Sequence, residues 1–162
     1  MKIIDNFLPE NDFKEIKDLV LGIDFPWFRQ SGIATLEDNE LFYFTHIAYN
    51  NASGGINSKF WQFFYNKFLK HIKLKSMIRF KVNYYPRTEK LIVNKPHTDY
   101  KEKHKGAILY LNTCDGYTLL HNKKKVDSIE NRLLMFDPSK NHSSTTTTNA
   151  QGRFNINVNY LT

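Results

Sequence analysis

From residue 76 onward the chain breaks into short runs rich in β-branched and aromatic residues, separated by polar turns, and this texture constrains the fold more than any other feature. The runs are Met77 to Tyr85, Gly106 to Asn112, Tyr117 to Leu120, Arg132 to Phe136 and Phe154 to Leu161. Strands of this length and spacing predict an antiparallel sandwich or jelly roll. Thr145 to Thr148 add four β-branched residues in a row, expected to form an extended edge segment.

The first half of the chain reads differently. Asp12 followed three residues later by Glu15 has the form of a capping box, and Phe13, Ile16 and Val20 then recur at helical spacing. A second helix is predicted from Ser58 as its cap, with Phe60, Phe64, Phe68 and Ile72 recurring every four residues beside Trp61, Tyr65 and Leu69. So wide an aromatic face needs a sheet to lie against. Phe25-Pro26-Trp27 and Ser53 to Gly55 read as turns around a possible strand, Leu41 to Ala48. The expectation is one α+β, mainly β domain over residues 1–162, with no internal repeat or flexible linker. Its 76–162 part would be a jelly roll, or double-stranded β-helix, carrying the metal site. Residues 1–75 would supply N-terminal helical support and flanking strands.

Composition narrows the possible chemistry. Hydrophobic residues at 41% and aromatics at 15%, with thirteen Phe and nine Tyr, argue for a packed core. Asp5 falls where a signal peptide needs an apolar run, and nothing approaches the roughly 20 apolar residues of a membrane span, so a soluble, cytoplasmic protein with no membrane partner is expected. Cys114 is the single cysteine, which rules out an internal disulfide and a thiolate zinc site. Any metal must therefore sit on His and carboxylate. The formal charge of +7 is concentrated at His71 to Lys75, Lys101 to Lys105 and Lys123 to Lys125, clusters that could attract an anionic partner such as nucleic acid. Without an Arg-rich stripe, a solvated surface is the preferred reading.

His97-Thr98-Asp99 places an imidazole and a carboxylate on one face of extended backbone. Six His and nine Asp would produce such a spacing by chance in about one chain in three of this length, so the motif alone is weak. The order that follows adds weight. A predicted strand leads into the turn Asp137-Pro138-Ser139, then His142, and eleven residues later Arg153 at the head of the last strand. Two His and one carboxylate can form a facial triad that leaves positions open on Fe(II), as oxygen chemistry requires, with zinc hydrolysis as the competing use. Arg153 favours the former, because a permanent cation with a planar fork suits a carboxylate ligand. Along its strand Arg153, Asn155, Asn157 and Asn159 share one face, expected to line a cavity, and Phe154, Ile156, Val158 and Tyr160 share the other.

The order His97-Thr98-Asp99, a distal His142, then Arg153-Phe154-Asn155-Ile156-Asn157-Val158 resembles the prolyl 4-hydroxylase-like 2-oxoglutarate/Fe(II) oxygenases across residues 78 to 160. Asn83-Tyr84-Tyr85-Pro86 is similar to the Tyr-Pro before their metal motif, Leu109-Tyr110-Leu111-Asn112 to the core strand after it, and Asp5-Asn6-Phe7-Leu8 to their N-terminal opening. The resemblance implies Fe(II), O2 and 2-oxoglutarate as co-substrate, with His97, Asp99 and His142 as the metal-binding catalytic triad. It also implies that Tyr110 and Arg153 hold the distal carboxylate of 2-oxoglutarate and that Tyr85 lies near its chelating end, adjacent Tyr84 facing away. The implied activity is a dioxygenase that hydroxylates an unactivated C–H bond of a peptide prolyl residue or a small molecule, releasing succinate and CO2. Two alternatives compete: a nucleic-acid base hydroxylase or demethylase on the same fold, and a non-catalytic metal-binding jelly roll. Only ten residues separate Tyr85 from Pro96, which predicts a small substrate-covering loop. His104 and His121 sit among lysines and are expected to be exposed, while His46 and His71 have no partner motif.

Overall fold

The computed structural model describes residues 1–32 and 41–162. Its centre is the antiparallel pair of β5 (Ser76–Pro86) and β11 (Gly152–Leu161), in register from Gly152 opposite Pro86 to Asn159 opposite Arg79 and shifted by one residue beyond it, where Tyr160 faces Met77. On one side lie β6 (Lys105–Tyr110), β9 (Leu133–Phe136) and the short β1 (Lys2–Ile4). On the other lie β3 (Tyr43–Asn50), β2 (Phe28–Gln30) and, also on β3, β4 (Gly55–Ile56). A second sheet joins β10 (His142–Ser143), β7 (Tyr117–Leu120) and β8 (Lys125–Asp127).

Strand alternation divides the residues of the large sheet between two environments. Phe80 and Val82 of β5 and Ile156 and Val158 of β11 are fully buried in a core shared with the helices, together with Ala107, Leu109 and Leu133. The alternate residues of β6 and β9, Ile108, Tyr110, Leu134 and Phe136, pack against Leu120 and Val126 of the second sheet. The chain is thus a jelly-roll core of two sheets, with N-terminal helices buttressing the outer face of the larger one. Each expected strand from residue 76 onward is present within two residues, and the early one runs over Tyr43–Asn50 rather than Leu41 to Ala48. Lys2–Ile4, Lys125–Asp127 and His142–Ser143 are too short to have shown a period.

Helix α1 (Glu10–Leu21) buries Phe13, Ile16 and Val20, as their spacing requires. Its N-terminus differs from the expected capping box, since Pro9 is the N-cap and no side chain caps it. Asp12 instead meets Lys67 Nζ at 3.0 Å and Lys70 Nζ at 3.1 Å, which pushes its carboxyl down to about 2. Helix α2 (Trp61–Lys67) is shorter than its aromatic period, because the backbone tightens to a 3-10 turn at Leu69–His71. Ser58 Oγ accepts the Phe60 amide at 3.1 Å, one turn early. Phe64 and Phe68 still reach Phe80, with ring centroids 4.9 and 6.1 Å apart. Thr145, Thr146 and Thr147 are buried rather than at an exposed edge, because residues 87–97 run beside them through bridges at Arg87–Thr147, Val93–Thr145 and His97–His142. Among the described residues no helix is long and apolar enough to cross a membrane.

Candidate functional site

The last of those bridges sets the geometry of the site. The His97 amide donates to the His142 carbonyl at 3.0 Å and the His142 amide returns a bond at 2.9 Å, so the two imidazoles emerge side by side, 4.6 Å between ring centroids. Asp99 is held by its amide to the Pro138 carbonyl at 3.0 Å. One ligand atom from each of His97, Asp99 and His142 lies within 4.8 Å of the others. The Nδ1 of His142 is 3.1 Å from the Lys140 carbonyl oxygen, which makes that nitrogen the donor and leaves Nε2 as the candidate metal-facing atom.

The electrostatics suit a cation. Burial, reinforced by His142 and opposed by Asp99, pushes His97 down to about 4, so its imidazole is neutral at physiological pH. Burial alone would raise Asp99, but Arg79, His142, Lys81 and the Asn159 amide outweigh it and hold the carboxyl well below its usual range. Arg79 Nη2 donates to Asp99 Oδ1 at 2.8 Å, while Asn159 and Asn157 amides donate to Oδ2 at 2.9 and 3.3 Å. Two imidazole nitrogens and a carboxylate oxygen form a donor set that fits Fe(II).

A cavity opens beside this cluster, with about 400 Å³ of space not filled by atoms, mouth included. His97 and His142 line it together with Arg153, Tyr85, Thr118, Lys81 and the β11 asparagines Asn155 and Asn157. Arg153 is 1% exposed, and its Nη2 donates to Thr118 Oγ1 at 2.9 Å. Its Nε and Nη1 are buried without a hydrogen-bond partner among the described residues. Tyr110 donates to the same Thr118 Oγ1 at 2.8 Å, and the rings of Tyr85 and Tyr110 each lie 5.5 Å from the guanidinium carbon. A buried cation with unsatisfied donors is costly unless an anion completes it. A carboxylate such as that of 2-oxoglutarate would suit these donors in charge and fork geometry.

Gly116 belongs to this arrangement and was missed from sequence. A Cβ there would come within 2.6 Å of both Arg153 Cδ and the Thr146 carbonyl oxygen, so only glycine lets the guanidinium stem pass. Thr118 was missed as well, and so were Lys81 and Arg79, although the alternation of these two with buried Phe80 and Val82 marks them as facing the cavity side. Tyr84 faces away from the cavity, stacked on Phe154 with centroids 4.4 Å apart. His121 is exposed as expected, and His71 is exposed too. His104 corrects the expectation, being 5% exposed, with Nδ1 2.7 Å from the Glu102 carbonyl and Nε2 3.3 Å from Asn159 Nδ2. Its flanking lysines point outward while β6 begins beneath it. His46 is buried as well, between the Pro26 carbonyl at Nδ1 and Ser58 Oγ at Nε2.

With this geometry in place, comparison with solved structures identifies the fold. A prolyl hydroxylase from Trichoplax adhaerens, in complex with a hypoxia inducible factor oxygen degradation domain peptide fragment, superposes with a TM-score of 0.69 at 18% identity over 99% of this chain and 82% of its own. The fold is that of the 2-oxoglutarate/Fe(II) oxygenases. A 2OG-Fe(II) oxygenase family oxidoreductase from Burkholderia pseudomallei matches with a TM-score of 0.67 at 10% identity, covering 98% of this chain and 84% of that one. A Pseudomonas putida prolyl-4-hydroxylase matches at 0.62 and 10%, covering 99% and 92%. No family model and no curated protein sequence matches the chain. At these identities the likeness is one of backbone architecture.

Proposed function

We propose that the chain is a cytoplasmic Fe(II)- and 2-oxoglutarate-dependent dioxygenase that hydroxylates an unactivated C–H bond of a peptide prolyl residue or a small molecule. The observation that carries this reading is Arg153, buried with two guanidinium nitrogens unpaired among the described residues, in the cavity that His97 and His142 of the His97, Asp99, His142 cluster also line. A metal-binding jelly roll with no reaction to perform has no need of that vacancy. His97, Asp99 and His142 would hold the iron, which when bound supplies oxygen chemistry coupled to conversion of 2-oxoglutarate into succinate and CO2.

The chain's own residues have separable tasks. Arg153 and Tyr110 take the distal carboxylate of the co-substrate, with Thr118 fixing both by accepting their hydrogen bonds. Tyr85, stacked on Tyr43 with centroids 5.4 Å apart, walls the cavity near the chelating end and excludes water. Arg79 and the β11 asparagines aim the Asp99 carboxylate. A peptide substrate is supported by the peptide carried in the Trichoplax adhaerens complex.

The test is succinate release from 2-oxoglutarate under Fe(II) and oxygen, first alone and then across proline-containing peptides, free amino acids and oligonucleotides. Slow release without added substrate, stimulated by a peptide or small molecule, is expected. No release in any condition would contradict the reading, and stimulation by oligonucleotides alone would move the substrate to nucleic acid.

A further inference from the structure

We infer that Lys81 anchors a carboxylate of the primary substrate, so that the compound oxidised is an anion. This rests on the co-substrate site proposed above and adds a substrate class to it.

Phe80 and Val82 are buried in the helix-side core, which turns the intervening Lys81 toward the opposite, cavity face of β5. Its side chain lines the cavity that His97, His142 and Arg153 also line. Across the sheet it is paired with Ile47 of β3 and Asn157 of β11, neither of which carries charge. The ammonium stands 5.6 Å from the centroid of the Tyr43 ring, and among the described residues no carboxylate comes within salt-bridge distance of it. Asp99 faces the same region but is already engaged by Arg79 and two asparagine amides.

Charge matching then assigns the vacancy. Asp99 is matched by Arg79, and Arg153 would be matched by the distal carboxylate of 2-oxoglutarate. The second carboxylate of 2-oxoglutarate would offset one of the two charges of a divalent metal held by His97, Asp99 and His142. Lys81 and one unit of metal charge remain without an anion in a poorly solvated cavity, where an unmatched ammonium is unfavourable. An acid entering beside the co-substrate supplies it, whereas its neutral amide cannot. Lys81 therefore works as a specificity residue, discriminating substrates by charge at the metal end of the cavity.

Binding, separate from turnover, tests this. Mn(II)-loaded protein saturated with 2-oxoglutarate is titrated calorimetrically with two probe pairs, N-acetylproline against N-acetylprolinamide and hexanoate against hexanamide, using wild type, Lys81→Met and Lys81→Arg. At least one acid should bind about tenfold or more tightly than its amide to wild type, a preference lost in Lys81→Met and kept in Lys81→Arg. Equal affinity or no binding in both pairs overturns the inference, as does an acid preference that survives in Lys81→Met. A larger loss of 2-oxoglutarate affinity than of acid preference in Lys81→Met would assign the ammonium to the co-substrate and overturn it too. Failure of wild type to take up Mn(II) or 2-oxoglutarate, read in the loading titrations, would instead sink the functional reading and this inference with it.

Discussion

Arg79 and Asp99 form an ion pair at 2.8 Å in which the cation is 18% exposed and the carboxylate 4%. The guanidinium also lies 5.2 Å from the Tyr100 ring centroid, so it is braced on one side by an aromatic face and on the other by a candidate metal ligand. One carboxylate oxygen is thereby fixed by Arg79 and the other by asparagine amides. Removing the brace should loosen the ligand without deleting it. Arg79→Met is expected to weaken Mn(II) binding by about 10- to 100-fold in equilibrium titration. Asp99→Ala should abolish tight binding. Equal affinities for wild type and Arg79→Met would show that Arg79 does not position Asp99.

Arg153 makes a different prediction, because in the proposed function it would hold the co-substrate rather than the metal. Arg153→Ala should raise the KM for 2-oxoglutarate by the equivalent of about 2 to 5 kcal/mol while leaving metal affinity near wild type. Tyr110→Phe should shift KM in the same direction more mildly, since Thr118 still holds the guanidinium.

Gly116→Ala tests whether that guanidinium is positioned by close packing. The added methyl meets the Thr146 carbonyl oxygen, which cannot rotate aside, and the Arg153 stem, which can. The expected outcome is a folded protein with a raised KM for 2-oxoglutarate and little change in Mn(II) affinity. An unchanged KM would mean that the loop relaxes instead of the arginine.

Part of the acid sensitivity of the fold should trace to His46, far from the metal cluster in sequence and buried between Pro26 and Ser58. Burial lowers its pKa below the ordinary 6.5, the Pro26 carbonyl opposing only in part. The folded protein therefore binds this proton less readily than the unfolded chain. The resulting contribution is fully present above about 6.5 and is lost as pH falls from there toward the folded-state value. The stability difference between wild type and His46→Gln, from denaturant melts at pH 8 and pH 5, should shrink at the lower pH.

Much of the β architecture was legible because it rests on local pattern. Phe80 and Val82 alternate with Arg79, Lys81 and Asn83 in the sequence as they do in the sheet, and Phe154 to Tyr160 likewise. His97, Asp99 and His142 could be picked out by type and order, but their meeting depends on a two-hydrogen-bond bridge between His97 and His142, 45 residues apart, that no local period encodes. His104 was misread because neighbouring lysines report on the exposure of their own side chains, not of the residue between them. The Asp12 capping box failed for a related reason: Lys67 of α2 and Lys70 of the 3-10 turn after it compete for that carboxylate, and tertiary charge outweighed the local cap. Gly116 was invisible because close approach to Arg153 is a property of the folded pair.

The central claim is that one cavity holds a metal on His97, Asp99 and His142 and a carboxylate on Arg153. Calorimetric titration of 2-oxoglutarate into the protein with and without Mn(II), in the absence of oxygen, tests it most directly. One equivalent should bind tightly to the metal-loaded protein and weakly to the metal-free one, with His142→Ala abolishing the metal dependence and Arg153→Ala weakening binding in the metal-loaded form. Binding of 2-oxoglutarate that is indifferent to both the metal and Arg153 would contradict the account.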